Sequence, residues 1–540
     1  MRIIRVSDIE RDVHNSYLEV FMNTLWQTPQ DRIELLKVLV KNDSVTGSEG
    51  EQLFPYFLKQ QLEQLDYFRN NESHIHLVET ADKKNAVCAL YRSYATDDTI
   101  ILMSHYDTVD VQDYGQMTSL AFDCDQLIEA FKQRALFNDE IEADLHSDEY
   151  MFGRGVMDMK SGLMMQMSIL EKATLEHWPI NIILVAVPDE EVGSSGMKAA
   201  TIFLNEWIQS LQLKLSLIMN SEPSFSQLPG DKAHYVYTGS IGKLMPAVMV
   251  YGKETHVGEP LKGLSSNYII SRINQEIEYN AAFTESYKKE TTPLPVSLKM
   301  HDLKQEYNVQ TPFISSAYYN VFIFRQSAKA VLEQFEHIVR RTVSEIKRDL
   351  SHIIPDLPDI NVITYQELLS QHKDTDIEQF ISAQTDQEIA EQIVHGLLTT
   401  HHNNDYTVVI YFAPPYYPAV NSSDDKLVKQ ITKYAVKQMD KLYNRDLKKI
   451  HYFNGISDLS YVNYQSSLKD ADFYMNQTPG YGRNYDIPFN DMQALSAPVI
   501  NIGAFGKDPH QLSERIHIKS VSEEIPDIIE KVIKKFLCHQ

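Results

Sequence analysis

Thr99-Ile100-Ile101-Leu102-Met103-Ser104-His105-Tyr106-Asp107-Thr108-Val109 sets a short, almost wholly apolar run directly before a histidine and an aspartate. An uninterrupted run of this length reads as a strand buried on both faces, since a half-exposed strand would alternate apolar and polar positions. Three further runs have the same form: Asn181–Val187, Leu215–Met219 and Pro498–Ile502. Ionisable residues follow each of them, and helical stretches separate them. This alternation predicts an α/β fold with a mostly parallel central sheet flanked by helices. Ligands on such sheets bind beyond the carboxyl ends of the strands. Those ends carry His105, Glu190 with Glu191, Glu222, and the loop leading to His510.

Outward from these strands the chain divides into three parts. Residues 1–236 and 416–540 are read as two parts of one domain, and residues 237–415 as an α+β domain inserted into it. The inserted domain is recognised by β-branched or aromatic runs at Pro246–Gly252, Ala317–Arg325 and Thr407–Ala413. Between them lie helical patterns near Asn267–Asn280 and Ala328–Leu350. The second places Val331, Leu332, Phe335, Ile338, Val339, Val343 and Ile346 on one face,. A further helix is expected near Ser522–Leu537. Two segments read as additions: Asp113–Tyr150, with ten acidic residues, and the polar Ser351–Asn404. Both are expected to be solvated surface.

Composition narrows the function. The 540 residues carry a formal charge of −24, which the phosphate backbone of nucleic acid and anionic membranes would repel. The three cysteines, Cys88, Cys124 and Cys538, lack metal-binding spacing, so neither a thiolate zinc site nor a disulfide framework is expected. The amino terminus MRIIRVSDIERDVHNSY has no apolar core of a secretory leader, and no apolar run of membrane-spanning length occurs. These features predict a cytoplasmic protein.

Five motifs carry chemistry. Ser104-His105-Tyr106-Asp107 offers an imidazole for a metal and a carboxylate to hold its other ring nitrogen,. Gly153-Arg154-Gly155-Val156-Met157-Asp158 supplies an aspartate able to bridge two cations, and the methionines at 164, 165 and 167 read as core,. Asp189-Glu190-Glu191 packs three acids that need cations or protons to coexist,. Asn220-Ser221-Glu222 and Gly503-Ala504-Phe505-Gly506-Lys507-Asp508-Pro509-His510 complete the set. Two histidines, two glutamates and a bridging aspartate can hold two divalent cations, zinc first and cobalt or manganese as alternatives. One acid of the third motif is then left free as a base.

In this order the motifs resemble the M20 family of metallopeptidases, over nearly the whole chain. The ending Gly503–Arg515 and the form of the first motif resemble its arginine-utilisation (RocB-like) branch. The resemblance implies a zinc-peptidase-type catalytic domain with an inserted lid. It implies that His105, Asp158 and Glu222 bind one metal, that Asp158, Glu191 and His510 bind the other, that Glu190 is the general base, and that Asp107 orients His105. His256, within Gly252–Pro260, matches the lid histidine that stabilises the oxyanion. Asn267 and Arg325 are the lid's candidates for binding substrate, and Gly455-Ile456-Ser457-Asp458 resembles the family's substrate loop, which adds Ser457 and Asp458.

The sequence departs from the family where Ser104 replaces a glycine and where residues 113–150 separate His105 from Asp158. The implied activity is hydrolysis of an amide or peptide bond in a dipeptide or N-acyl amino acid, with a place in arginine or amino-acid catabolism. A two-metal phosphoesterase and a non-catalytic metal-binding relative are the alternatives. A homodimer joined through the lids is favoured slightly over a monomer, in which segment 351–404 would act as a second lid.

Overall fold

The computed structural model describes residues 24–538, apart from 229, 232, 384 and 401–405. The amino-terminal stretch read for a leader lies outside them, as do the last residues of segment 351–404. The main sheet has eight strands, in the spatial order Ile75–Glu79, Asn85–Tyr91, Asn181–Val187, Asp98–His105, Lys214–Asn220, Val499–Ile502, His234–Tyr237, Leu447–Ile450. The four inner strands are those whose apolar runs stand out in the sequence, and they pair parallel. The flanking strands Asn85–Tyr91 and His234–Tyr237 pair antiparallel to them.

Both faces of this sheet are covered, which explains the unbroken apolar runs. Ile100 and Leu102 point into one core with the helices Pro29–Lys41, Lys160–Glu176, Lys426–Tyr443 and Ile525–Phe536. Ile101 and Met103 point into the other, against Met197, Ala200 and Leu204 of the helix Ser195–Ser210. Met164, Met165 and Met167 are fully buried, as core methionines should be,. Val38 falls on the outer face of its helix and is exposed. Ser520–Glu524 is a π-turn, and regular helix begins at Ile525 rather than Ser522.

The second sheet runs Val296–Asp302, Ile314–Ile323, Pro246–Tyr251, Thr407–Phe412, Asn361–Thr364. The helices Ser266–Ile277 and Ala328–Leu350 pack Ile269, Ile273, Val331 and Phe335 against Val248, Val250, Ala317 and Ile410. Segment 351–404 is not simply solvated: it adds the strand Asn361–Thr364 and covers the opposite face. There Ile389, Ile393, Val394 and Leu397 meet Ala247, Met249, Val409 and Tyr411. The alternate residues of Pro246–Tyr251 thus face two different cores, and the segment forms a third layer on this sheet.

Candidate metal centre

The carboxyl ends of the four inner strands deliver their side chains to one place. His105 ends its strand with its ring fully buried. Its Nδ1 lies 3.1 Å from the Asp107 carbonyl oxygen and 3.4 Å from Asp107 Oδ1. Its Nε2 lies 3.1 Å from Asp158 Oδ1, 3.7 Å from Glu222 Oε1 and 3.9 Å from Glu190 Oε2. The other oxygen of Asp158 faces His510, with Oδ2 3.2 Å from Nε2. Glu191 Oε1 is 3.1 Å from the same nitrogen. Asp158 therefore divides its two oxygens between two histidines.

Local structure holds these groups in place. Asp189 takes the left-handed conformation (φ 67°), and its carboxylate accepts from Lys84 Nζ at 2.8 Å and from the Ser195 N–H at 3.0 Å. A left-handed aspartate persists only where its surroundings hold it, and this turn brings Glu190 and Glu191 inward. Asp107 ties the first motif to the third: it accepts the N–H of Glu190 at 3.1 Å, the N–H of Glu191 at 3.3 Å and the Thr46 hydroxyl at 2.8 Å. Gly162 is demanded by close packing, since a Cβ there would stand 2.6 Å from the Ser221 carbonyl oxygen, next to Glu222. A Cβ at Gly503 would collide with the carbonyl of Glu222 itself.

The acidic segment 113–150 does more than solvate a surface. Glu514 Oε1 accepts the N–H groups of Gly155, Met157 and Asp158 at 2.9, 3.1 and 3.3 Å, which holds the loop carrying Asp158. Glu514 Oε2 pairs with buried Arg154 at 2.8 Å, and Arg154 reaches both oxygens of Asp113 at 2.9 Å. Buried Arg515 joins Asp144 of the same segment to Asp508, two residues before His510. Two of the segment's acids thus fasten two loops of the site.

Electrostatics mark the site as short of positive charge. Burial pushes the Glu190 and Glu222 carboxyls well above the usual range, with His105 opposing it. Burial likewise pushes Asp458 up to about 7, again against His105. Hydrogen bonds to Asp158 and Glu191 raise His510 to about 11. His105 is also raised: burial works against its charge, but Asp107 and Asp158 outweigh it. Asp158 goes the other way, held low against burial by the two histidines.

A group that binds its proton more tightly when folded contributes stability that is complete below its unfolded value and lost as pH rises through its folded value. The window opens near 4.5 for the glutamates and 6.5 for the histidines, and extends to about 7 for Asp458 and about 11 for His510. Asp158, with its opposite shift, has finished titrating below this window. Metal-free protein is therefore expected to unfold at lower urea concentration at about pH 8 than at about pH 5.5, and an added divalent cation should cancel or reverse the difference. Equal or greater stability of the metal-free protein at the higher pH would contradict these assignments.

The residues present fit two cations. The donor atoms of His105, Asp158 and Glu222 lie within 4.8 Å of one another, as do those of Asp158, Glu191 and His510. Glu190 joins a third such group with His105 and Glu191, so proximity alone does not make it a base. Its Oε1 and that of Glu191 are both buried without a hydrogen-bond partner among the described residues. Asp158, Glu190, Glu191, Glu222 and His510 line a cavity of about 320 Å³, with Gly455 and Ile456 on its wall.

Other residues singled out in the sequence lie elsewhere. His256 is exposed on the inserted domain and does not line this cavity. Asn267 donates to Asp302 and accepts from Ser315. Arg325 lies over the ring of Tyr287 and borders a separate cavity. Ser457 is buried and bonds Ser240 at 3.0 Å, and Asp458 is buried beside the cluster. Sequence reading missed Thr46, Arg154, Lys243, Tyr417 and Glu514. Lys243 and Tyr417 line the cavity from distant positions without any motif, whereas Arg154 and Glu514 stand within quoted stretches.

A model of peptidase family M20/M25/M40 matches residues 101–495. The chain belongs to the M20 peptidase family. The uncharacterized protein YqjN of Bacillus subtilis (strain 168) is 35% identical over 538 residues, covering 95% of this chain and 97% of its own length. Protein RocB of the same organism is 29% identical over 535 residues, covering 93% and 94%. The M20 chain thus falls with the RocB-like branch, as its first and fifth motifs suggest. The structure also resembles the M20 family metallo-carboxypeptidase Sso-CP2 from Sulfolobus solfataricus, with TM-score 0.55 and 13% identity, over 93% of this chain and 98% of that one. This M20 chain is a metallopeptidase-type hydrolase with the α/β fold expected of it. Among the described residues, no helix is long and apolar enough to cross a membrane.

Proposed function

We propose that this chain hydrolyses an amide or peptide bond in a small amino-acid-derived substrate, a dipeptide or an N-acyl amino acid. The observation that carries this reading is the division of Asp158 between His105 and His510, with the buried Glu190 carboxylate beside them. In this reading His105, Asp158 and Glu222 hold one divalent cation, and Asp158, Glu191 and His510 the other. An all-nitrogen-and-oxygen donor set suits zinc, with cobalt or manganese as alternatives. Two such cations would polarise the scissile carbonyl and acidify a water.

The chain's own groups do the rest. Asp107 keeps the His105 ring oriented. Glu190 accepts the proton of the attacking water and passes it to the leaving amine. Ser457 and Asp458, which follow the cavity-lining Gly455 and Ile456, are assigned to support the substrate loop. The three free cysteines support a cytoplasmic setting,. The branch resemblance makes arginine-derived amides the first compounds to try. The test compares metal-loaded with chelator-treated protein against dipeptides, N-acyl amino acids and phosphoesters. Turnover of phosphoesters alone, or of nothing, would reject the reading.

His256 is assigned to the oxyanion in the active site of a second copy. Its exposure and its absence from the cavity lining support this, as do exposed Leu298 and Met300 on the edge strand Val296–Asp302,. Equilibrated mixtures of two inactive proteins, His256→Ala and Glu190→Gln, should then regain activity. Each mixed dimer holds one site with both substitutions and one with neither. A mixture that exchanges subunits and stays inactive would place His256 in its own chain's site. Full activity of His256→Ala alone would remove it from the chemistry.

A further inference from the structure

One buried ammonium stands next to the turn of Glu190 and Glu191 without lining the metal-centre cavity. Lys84 directly precedes the strand Asn85–Tyr91 and is buried. Its backbone is fixed in a turn: its N–H donates to the Thr80 hydroxyl at 2.9 Å, and its carbonyl accepts the Thr80 N–H at 2.9 Å. Its Nζ lies 2.8 Å from Asp189 Oδ1, 3.1 Å from Asp82 Oδ2 and 3.3 Å from Glu51 Oε2. Among the described residues it is the one cation within 4.0 Å of Asp189 or of Glu51. Both carboxylates lead on to the centre. Asp189 heads the turn that carries Glu190 and Glu191. Glu51 accepts the Gly47 N–H at 2.7 Å, next to Thr46, whose hydroxyl holds Asp107.

We propose that Lys84 is a positioning residue for the reaction: by joining Asp189 to Glu51 it fixes the turn that presents Glu190 to the metal centre. This rests on the reading of Glu190 as the base, given above.

The left-handed backbone of Asp189 costs energy and needs contacts that hold it,. The Ser195 N–H supplies one, but it comes from the same segment and would move with it. Lys84 supplies the other from a different strand, so it is the contact that refers the turn to the sheet. A charge-assisted hydrogen bond is strong, and a buried setting strengthens it. Burial works against the ammonium, yet Asp189, Glu51 and Asp82 outweigh it and hold its proton more tightly than usual. The contacts also close a ring. It runs from Lys84 through Asp189 and the Glu190 N–H to Asp107, and returns through Thr46 and Glu51. Opened at Lys84, the ring leaves the Glu190 turn tied to Asp107 and free to pivot there. A shift of about 1 Å in a reacting group costs about a hundredfold in rate.

The experiment measures kcat, KM and bound metal for wild type, Lys84→Met, Asp189→Asn and the double variant, all at saturating metal, on an amide that wild type cleaves. Methionine keeps the apolar stem of the lysine, so a packing role alone would survive the change. Lys84→Met should lose about a hundredfold in kcat, with KM little changed and two cations per chain retained. The double variant should fall within about twofold of the worse single one, because both substitutions act on the same turn, whereas independent effects would multiply. If Lys84→Met does not fold, Lys84→Met with Glu51→Gln leaves one fewer buried charge unpaired and takes its place, with the same expected loss. Unchanged kcat without the lysine, loss of metal in step with kcat, or multiplied losses in the double variant would overturn the role of Lys84 and leave the hydrolase reading standing. Failure of wild type to cleave any amide would overturn both.

Discussion

Glu190→Gln is expected to keep both metals and bind substrate while losing about a hundredfold to ten-thousandfold in kcat, the usual contribution of a positioned general base. The substitution preserves shape and one hydrogen-bonding oxygen but cannot accept a proton. Burial already favours a neutral group at this position, since the Glu190 carboxyl is raised well above its usual range. The amide should therefore be tolerated, and the fold and the Asp107 contact to its backbone should persist. Kinetics alone would not distinguish a base from a ligand, because Glu190 also lies within ligand distance of His105 and Glu191. Elemental analysis makes the distinction. Loss of a metal in step with loss of activity would mean that Glu190 coordinates and that Glu191 must be considered as the base.

Asp158→Ala should remove more metal than Glu222→Ala or His510→Ala. Its two oxygens serve the two clusters, at 3.1 Å from His105 and 3.2 Å from His510, so one substitution takes a ligand from each. Loss of an outer partner lowers metal affinity by about 10–100-fold, and loss of a shared direct ligand should exceed that at both positions. Saturated wild type is expected to hold two cations per chain, Glu222→Ala about one, and Asp158→Ala close to none by elemental analysis. A single cation in saturated wild type, or equal depletion by Glu222→Ala and Asp158→Ala, would refute the shared role. The pH dependence of the metal-free protein tests the same cluster without activity.

Much of this was readable along the chain, for definite reasons. The inner strands bury both faces over most of their length, so their runs are largely apolar and stand out. The outer strands were not seen, because Ile75–Glu79 and Leu447–Ile450 are only partly covered and mix polar with apolar residues. The amphipathic helix Ala328–Leu350 was found within its observed limits, since one face meets core and the other water. The acidic segment was misread in part. Asp113 and Asp144 look like any surface acid until Arg154 and Arg515 are brought beneath them.

By itself the sequence determined the α/β class and pointed to the residue types of the candidate centre, because His105, Glu190, Glu191 and Glu222 lie at or just beyond strand ends. The tertiary structure decided what depends on distance between remote segments. It put the two oxygens of Asp158 toward different histidines, drew Glu514 under the Asp158 loop, and left His256 outside its own chain's cavity. It also brought Lys243 and Tyr417 to the cavity wall. No local pattern announces such residues, since a lysine's role is set by what is buried around it and not by its neighbours in sequence.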